Sequence, residues 1–253
     1  MQVYIWLLLP MALLLPPGAR SGEIIGGREA RPHSRPYMAF LKIQDGKNIS
    51  HCGGFLVSED FVLTAAHCNG AKITVYLGAH NLKSKREQRR QVITARAKIC
   101  HPRYNKKTQN YDIMLLQLEK KAELNRCVNP IRLPPAHQRV RPGTKCSIAG
   151  WGRTSPHIKL FADKLQKADV VVMPDATCTY CRSNYNPSTM LCAGDPEEGK
   201  NPFEGDSGGP LVCRGMAQGI VSYGSANGTP PAVYTRVSIF VPWIEKMMRK
   251  LQP

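Results

Sequence analysis

What most constrains this chain is a series of short apolar or alternating segments, each closed by Gly, Pro, Asn or a charged residue. They are Tyr37–Ile43, Phe55–Val57, Ile73–Leu77, Ile113–Leu118, Ser147–Trp151, Asp169–Met173, Gly219–Tyr223 and Ala232–Val237. Short strands at such spacing predict a barrel or sandwich and not parallel α/β units. One good helix is predicted late in the chain. Pro242 suits its first turn, and Trp243, Ile244, Met247 and Leu251 fall on one face. The stretch Pro130–Pro142 holds four prolines and few strand signals, so it reads as a link between two β halves. With 253 residues, the chain can form one large β domain or two small ones. No internal repeat or low-complexity segment is visible.

The first residues read as a targeting segment. Residues 3–17 are almost wholly apolar and carry no charge, but Pro10 interrupts them and they are short for a bilayer span. Ala19-Arg20-Ser21 fits the small-x-small pattern preferred by signal peptidase, which predicts a signal peptide over residues 1–21. No other apolar run approaches the roughly 18 residues that a span requires, so a soluble, secreted or stored product without a membrane span is expected. Nine cysteines without a paired CxxC zinc pattern argue for disulfides and an oxidising compartment. Thirty-five Lys and Arg against eighteen Asp and Glu give a net charge of +17, which favours polyanionic partners. Loss of Arg20 with the leader and of Glu23 beyond it leaves that balance unchanged.

Three local sequences carry the chemistry. Thr64-Ala65-Ala66-His67-Cys68 follows the apolar run Phe61-Val62-Leu63, Asn110-Tyr111-Asp112 leads into Ile113-Met114-Leu115-Leu116, and Gly205-Asp206-Ser207-Gly208-Gly209-Pro210 comes third. Alone, His67 reads as a core histidine and Asp112 as a turn residue. The glycines on both sides of Asp206-Ser207 have no packing rationale, and the order His–Asp–Ser is that of a nucleophile, its base and an orienting carboxylate.

On these motifs residues 24–253 resemble the chymotrypsin-type serine proteases. The resemblance implies an all-β fold of two packed six-stranded antiparallel β-barrels with a C-terminal helix. It implies a catalytic triad of His67, Asp112 and Ser207, with backbone N–H groups of Gly205 and Ser207 forming the oxyanion hole. Gly22-Glu23 would be an activation dipeptide, removed by a dipeptidyl peptidase. The freed amine of Ile24, in Ile24-Ile25-Gly26-Gly27, would then pair with Asp206 and order the site, the precursor being an inactive zymogen. No cofactor and no metal are implied. Disulfides Cys52–Cys68, Cys146–Cys213 and Cys178–Cys192 are implied as well, with Cys181 competing for Cys192, and with Cys100 and Cys127 left over.

The activation dipeptide, Phe203 where many digestive relatives carry a cysteine, and the basic composition resemble the granule subgroup of granzymes, mast-cell chymases and cathepsin G-like enzymes. Pro32-His33-Ser34-Arg35-Pro36-Tyr37, Gly53-Gly54-Phe55-Leu56-Val57 and Gly219-Ile220-Val221-Ser222-Tyr223-Gly224 support that likeness. Six residues before Ser207, Asn201 occupies the position that is an aspartate in trypsin-like members. A neutral floor leaves a substrate Lys or Arg unpaired in a desolvated slot. Gly224 leaves the pocket mouth open, and Ala232 stands where granzyme B carries an arginine for acidic side chains. The pocket of Asn201, Ser222, Gly224 and Ala232 is therefore expected to accept Phe, Tyr, Leu or Met, while Ser222-Tyr223-Gly224 offer backbone groups to an extended substrate.

Basic residues cluster from Lys83 to Arg90 and again at Lys98, Arg103, Lys106, Lys107, Arg139, Arg141 and Lys145. Within the granule likeness they are read as a surface for sulfated, heparin-like proteoglycan. No nucleic-acid recognition module is present. Asn48-Ile49-Ser50 and Asn227-Gly228-Thr229 are glycosylation sequons. The leading expectation is a granule-stored, secreted serine endopeptidase acting on proteins or peptides. Two alternatives stand beside it: a granzyme acting in target-cell killing, and a catalytically inactive homologue that binds polyanions.

Overall fold

The structure, a computed structural model, describes residues 24–87, 89–157 and 159–251. The segments expected as signal peptide (residues 1–21) and activation dipeptide (residues 22–23) lie outside the described residues. In chain order the strands are β1 (Arg28–Glu29), β2 (Met38–Asp45), β3 (Asn48–Leu56), β4 (Phe61–Thr64), β5 (Lys72–Leu77), β6 (Gln91–Cys100) and β7 (Met114–Leu118). Then come β8 (Lys145–Gly150), β9 (Gln166–Val172), β10 (Met190–Gly194), β11 (Pro210–Cys213), β12 (Met216–Tyr223) and β13 (Ala232–Arg236). A short helix α1 (Asp175–Cys181) follows β9, and α2 (Val241–Leu251) ends the described chain.

β2, β3, β4, β7, β6 and β5 close into one antiparallel barrel; β8, β9, β10, β13, β12 and β11 close into a second, with β1 added outside β9. Alternation explains the first barrel. Ala39, Leu41 and Ile43 of β2 point inward and sit opposite Leu77, Val75 and Ile73 of β5. β7 departs from alternation because both of its faces are covered. Its Gln117 turns away from the barrel lumen to donate through Nε2 to the Leu251 carbonyl at the end of α2 (2.9 Å). The second barrel packs Ile148, Val170, Leu191, Leu211 and Tyr234 around the Cys146–Cys213 disulfide and includes the Ile24 side chain.

The terminal segments cross between barrels. β1, preceding the first barrel, pairs with β9 of the second, and α2, following the second, buries Val241 and Ile244 in the core of the first. Across the seam Trp151 Nε1 and the Leu165 N–H both donate to the His80 carbonyl, at 3.0 and 2.9 Å. The three disulfides implied by the resemblance are all formed, and Cys100, Cys127 and Cys181 are free. Cys127 is buried, whereas Cys181 is exposed. Among the described residues no helix is long and apolar enough to cross a membrane.

Candidate active site

The first barrel supplies an imidazole and a carboxylate. β4 ends at Thr64, and the chain turns through a single 3-10 turn, Ala66–Cys68, that presents His67. The Cys52–Cys68 disulfide ties this turn to β3. Asp112 immediately precedes the apolar run into β7 and is fully buried. Its Oδ2 lies 2.7 Å from His67 Nδ1, and its Oδ1 accepts the His67 backbone N–H at 2.9 Å. The preceding residue, Tyr111, holds a left-handed φ of 59°, sparsely populated for a bulky side chain. Its ring stacks with His101 at 5.1 Å and has the Arg103 guanidinium 4.3 Å from its centroid.

The second barrel completes the cluster. Ser222 Oγ donates to Asp112 Oδ2 at 2.5 Å, and Thr235 Oγ1 to the Asp112 carbonyl at 2.7 Å. Ser222 was expected only as a pocket residue and Thr235 not at all; their bonds to Asp112 were not foreseen because each acts across the barrel seam. Ser207 lies on the loop between β10 and β11 and is fixed by its backbone: its carbonyl accepts the Gly53 N–H at 2.7 Å and faces Cys68 Sγ at 3.7 Å. Its hydroxyl makes no hydrogen bond to the imidazole among the described residues.

Gly205 has φ +96°, a conformation that only glycine adopts readily, and a Cβ there would meet the Phe161 ring at 2.7 Å. Neither the Gly205 N–H nor the Ser207 N–H donates to a protein acceptor among the described residues. Asp206, between them, is buried; Oδ1 accepts the Gly152 N–H (2.8 Å) and Oδ2 the Phe203 N–H (3.0 Å). Burial pushes its carboxyl up to about 6 against those two hydrogen bonds. In this uncleaved chain the Ile24 nitrogen is part of a peptide bond, and Asp206 has no ion pair among the described residues.

A cleft of about 170 Å³ opens beside Ser207, walled by Phe203, Val221, Ser222, Gly224 and Ala232. Asn201 is not part of that wall. It lies just behind it, fully buried, with its amide nitrogen 3.6 Å from where a Gly224 Cβ would be. At the rim Glu204, missed by the sequence reading, pairs with Arg153 at 2.7 Å.

Residues 24–244 match the trypsin family. The chain belongs to it. This trypsin-family chain is 55% identical over 246 residues to human cathepsin G, covering 97% of this chain and 95% of that protein. It is 54% identical over 245 residues to human granzyme B, covering 96% and 98% respectively. A solved structure described as GrC superposes with a TM-score of 0.84 at 46% identity, covering 89% of this chain and all of the other. Membership makes the enzyme class plain: the trypsin-family chain is a serine endopeptidase.

Proposed function

We propose that this chain is the precursor of a secreted endopeptidase in which His67, Asp112 and Ser207 cleave peptides after bulky apolar or aromatic side chains. The observation that carries the reading is the pairing of a part-exposed His67 with the fully buried Asp112, beside a serine flanked by two backbone N–H groups without protein acceptors among the described residues. With Nδ1–H donated to Asp112, Nε2 is the ring atom left to take the Ser207 proton as Oγ attacks the scissile carbonyl. Protonated His67, steadied by the Asp112 charge, then delivers that proton to the leaving amine. The Gly205 and Ser207 N–H groups stabilise the oxyanion; one such donor contributes about 2.7–4 kcal/mol to transition-state stabilisation in comparable sites.

The cleft supports the expected selectivity. A cavity of roughly 150 Å³ holds one benzene ring, so about 170 Å³ suits a single aromatic or large aliphatic side chain. Among the described residues the only charged one lining it is Glu204, an exposed rim group already paired with Arg153. Phe, Tyr, Leu and Met are therefore the proposed side chains before the cut. Removal of Gly22-Glu23 by a dipeptidyl peptidase would free the Ile24 amine to neutralise Asp206, keeping the precursor silent until then. Storage in secretory granules on sulfated proteoglycan is supported by the likeness to cathepsin G and granzyme B and by the +17 charge. Both sequon asparagines, Asn48 and Asn227, are exposed and open to glycosylation.

A fluorophosphonate probe tests the core of this reading. Mature protein beginning at Ile24 is expected to be labelled on Ser207, with labelling abolished by Ser207→Ala and strongly slowed in the uncleaved precursor. A mature protein that remains unlabelled would show an inert polyanion-binding homologue instead.

A further inference from the structure

The turn before β2 and the loop between β5 and β6 bring together three buried donor atoms that the catalytic cluster does not use. His33 Nδ1, His80 Nδ1 and Glu87 Oε2 are each buried without a hydrogen-bond partner among the described residues. His80 links the other two. Its ring centroid lies 6.5 Å from that of His33, and its backbone N–H donates to Glu87 Oε1 at 3.0 Å, as the Asn81 N–H does at 2.7 Å. Glu87 is the one acid in the basic stretch Lys83–Arg90, yet its second oxygen pairs with none of the cations around it among the described residues. Buried polar atoms without partners are uncommon, and three around one histidine call for a shared partner.

The far side of the His80 ring limits what that partner can be. His80 Nε2 lies 3.0 Å from Glu29 Oε1, and hydrogen bonds from His80 and Lys164 hold the Glu29 carboxyl below its usual range. An ionised Glu29 can only accept, so the ring proton sits on Nε2 and Nδ1 presents a lone pair. As a carboxylate, Glu87 likewise offers only lone pairs. A Lewis acid answers several lone pairs at once. An imidazole and carboxylate set suits zinc-like transition ions, whereas calcium and magnesium take oxygen ligands. The outer bonds fit the same ion. A metal-bound imidazole ordinarily donates its other ring N–H to a carboxylate, and a ligating carboxylate is itself hydrogen-bonded. Two imidazoles sharing one zinc, with Zn–N of about 2.0–2.1 Å, hold their centroids about 5–6 Å apart. As they stand, the three donors are not all within 4.8 Å of one another. Rotation of the half-buried His33 ring, and of the Glu87 carboxylate about its anchored Oε1, closes the remainder.

We infer that His33, His80 and Glu87 form a binding site for a zinc-like divalent transition cation, outside the catalytic triad, that ties the turn before β2 to the β5–β6 loop. The His80 carbonyl already accepts Trp151 Nε1 and the Leu165 N–H from the second barrel, so the ion fastens both segments to the seam. The inference stands apart from the endopeptidase reading, since it uses neither the cleft nor Ser207.

The test is a calorimetric titration of untagged mature protein, stripped of metal with EDTA and dialysed, with zinc chloride. One zinc per chain is expected, and zinc at about 100 times its dissociation constant is expected to raise the melting temperature by about 5–10 °C. Calcium chloride over the same range is expected to do neither. His33→Asn suits the left-handed backbone at that turn (φ 56°) and is expected to weaken zinc binding roughly tenfold or more. Glu87→Gln keeps an oxygen for the two N–H groups that Oε1 accepts, and the same loss is expected. Glu29→Ala leaves all three donors in place; it is expected to cost roughly 10- to 100-fold in zinc affinity while melting as the parent does in EDTA. A parent that takes up no zinc overturns the inference, as does calcium binding as tight as zinc. So does parent-like zinc affinity in any folded variant of the three, which would put the ion at another histidine such as His67. Should Glu87→Gln not fold, His33→Asn and Glu29→Ala decide. Fluorophosphonate labelling of the same metal-free samples reports separately on the endopeptidase reading.

Discussion

Asp206 is a buried carboxyl with two backbone donors and, among the described residues, no cation, and the proposed processing would reverse the consequence of its titration. In the uncleaved chain its value is raised from 3.8 to about 6 by burial. A carboxyl raised on folding binds its proton more tightly in the folded state. Its favourable contribution is complete below about pH 4 and is lost as pH rises through about 6. The shift corresponds to roughly 3 kcal/mol. Chemical denaturation of the precursor across pH 4–8 is therefore expected to show Asp206→Asn overtaking the parent in stability as pH rises. In the mature form, where the Ile24 amine is available, the order should reverse, since removing one member of a buried pair costs about 3–5 kcal/mol. Identical pH profiles for parent and variant precursor would rule out this carboxyl as the titrating group. His67, Asp112 and Ser207 were legible as residues because their chemistry is local to short motifs. Ser222 Oγ and the Glu204–Arg153 rim pair were not, because what they do depends on which strand faces them across the seam or at the cleft mouth.

Elements with one buried face were readable from their alternation, and full burial hid some strands but not others: β7 and β13 were read as apolar runs although every residue in them is buried. The segments at Tyr37–Ile43 and Ile73–Leu77 fall on β2 and β5, whose inward residues alternate. β6 was missed because Arg96 and Lys98 interrupt its apolar pattern and most of its side chains are only half-buried. β10 and β11 were missed for the opposite reason: every residue in each is buried, leaving runs of four or five with no polar alternation. α1 has no apolar stripe at all and is anchored by Cys178–Cys192 and by contacts of Asp175 with Tyr185 and Arg139. α2 was legible from its stripe, though only Val241 and Ile244 are fully enclosed, with Trp243, Met247 and Leu251 at the edge of the same cluster. Ile244→Ala should cost about 2–5 kcal/mol. For a chain of this size that corresponds to a fall in melting temperature of about 5–15 °C. Because α2 packs on the outside of the first barrel, kcat/KM measured well below the transition should be preserved. A loss of activity without a loss of stability would mean that the helix also sets the geometry of the site.

At the scale of the whole molecule, the +17 charge is distributed unevenly in its usefulness. In the loop between β5 and β6, Lys83 is committed to Asp163 at 2.8 Å, and Arg90 is half-buried and donates to the Leu82 carbonyl at 3.3 Å. Lys85, Arg86 and Arg89 are exposed and have no acidic partner among the described residues, so these three present the loop's available charge. A polyanion that binds by displacing its own counterions loses affinity steeply with salt, and the slope counts the cations engaged. The quadruple variant Lys85→Ala, Arg86→Ala, Arg89→Ala, Arg90→Ala should therefore elute from immobilised heparin at lower salt and with a shallower salt dependence than the parent. Nearly all of that change should already appear when only Lys85, Arg86 and Arg89 are replaced, because Arg90 is engaged with the protein itself. Cleavage of a small neutral peptide should be unaffected, since none of these residues lines the cleft beside Ser207. If elution is unchanged, the binding surface lies elsewhere, with Arg139, Arg141 and Arg214 around the groove beside Cys213 next to be substituted.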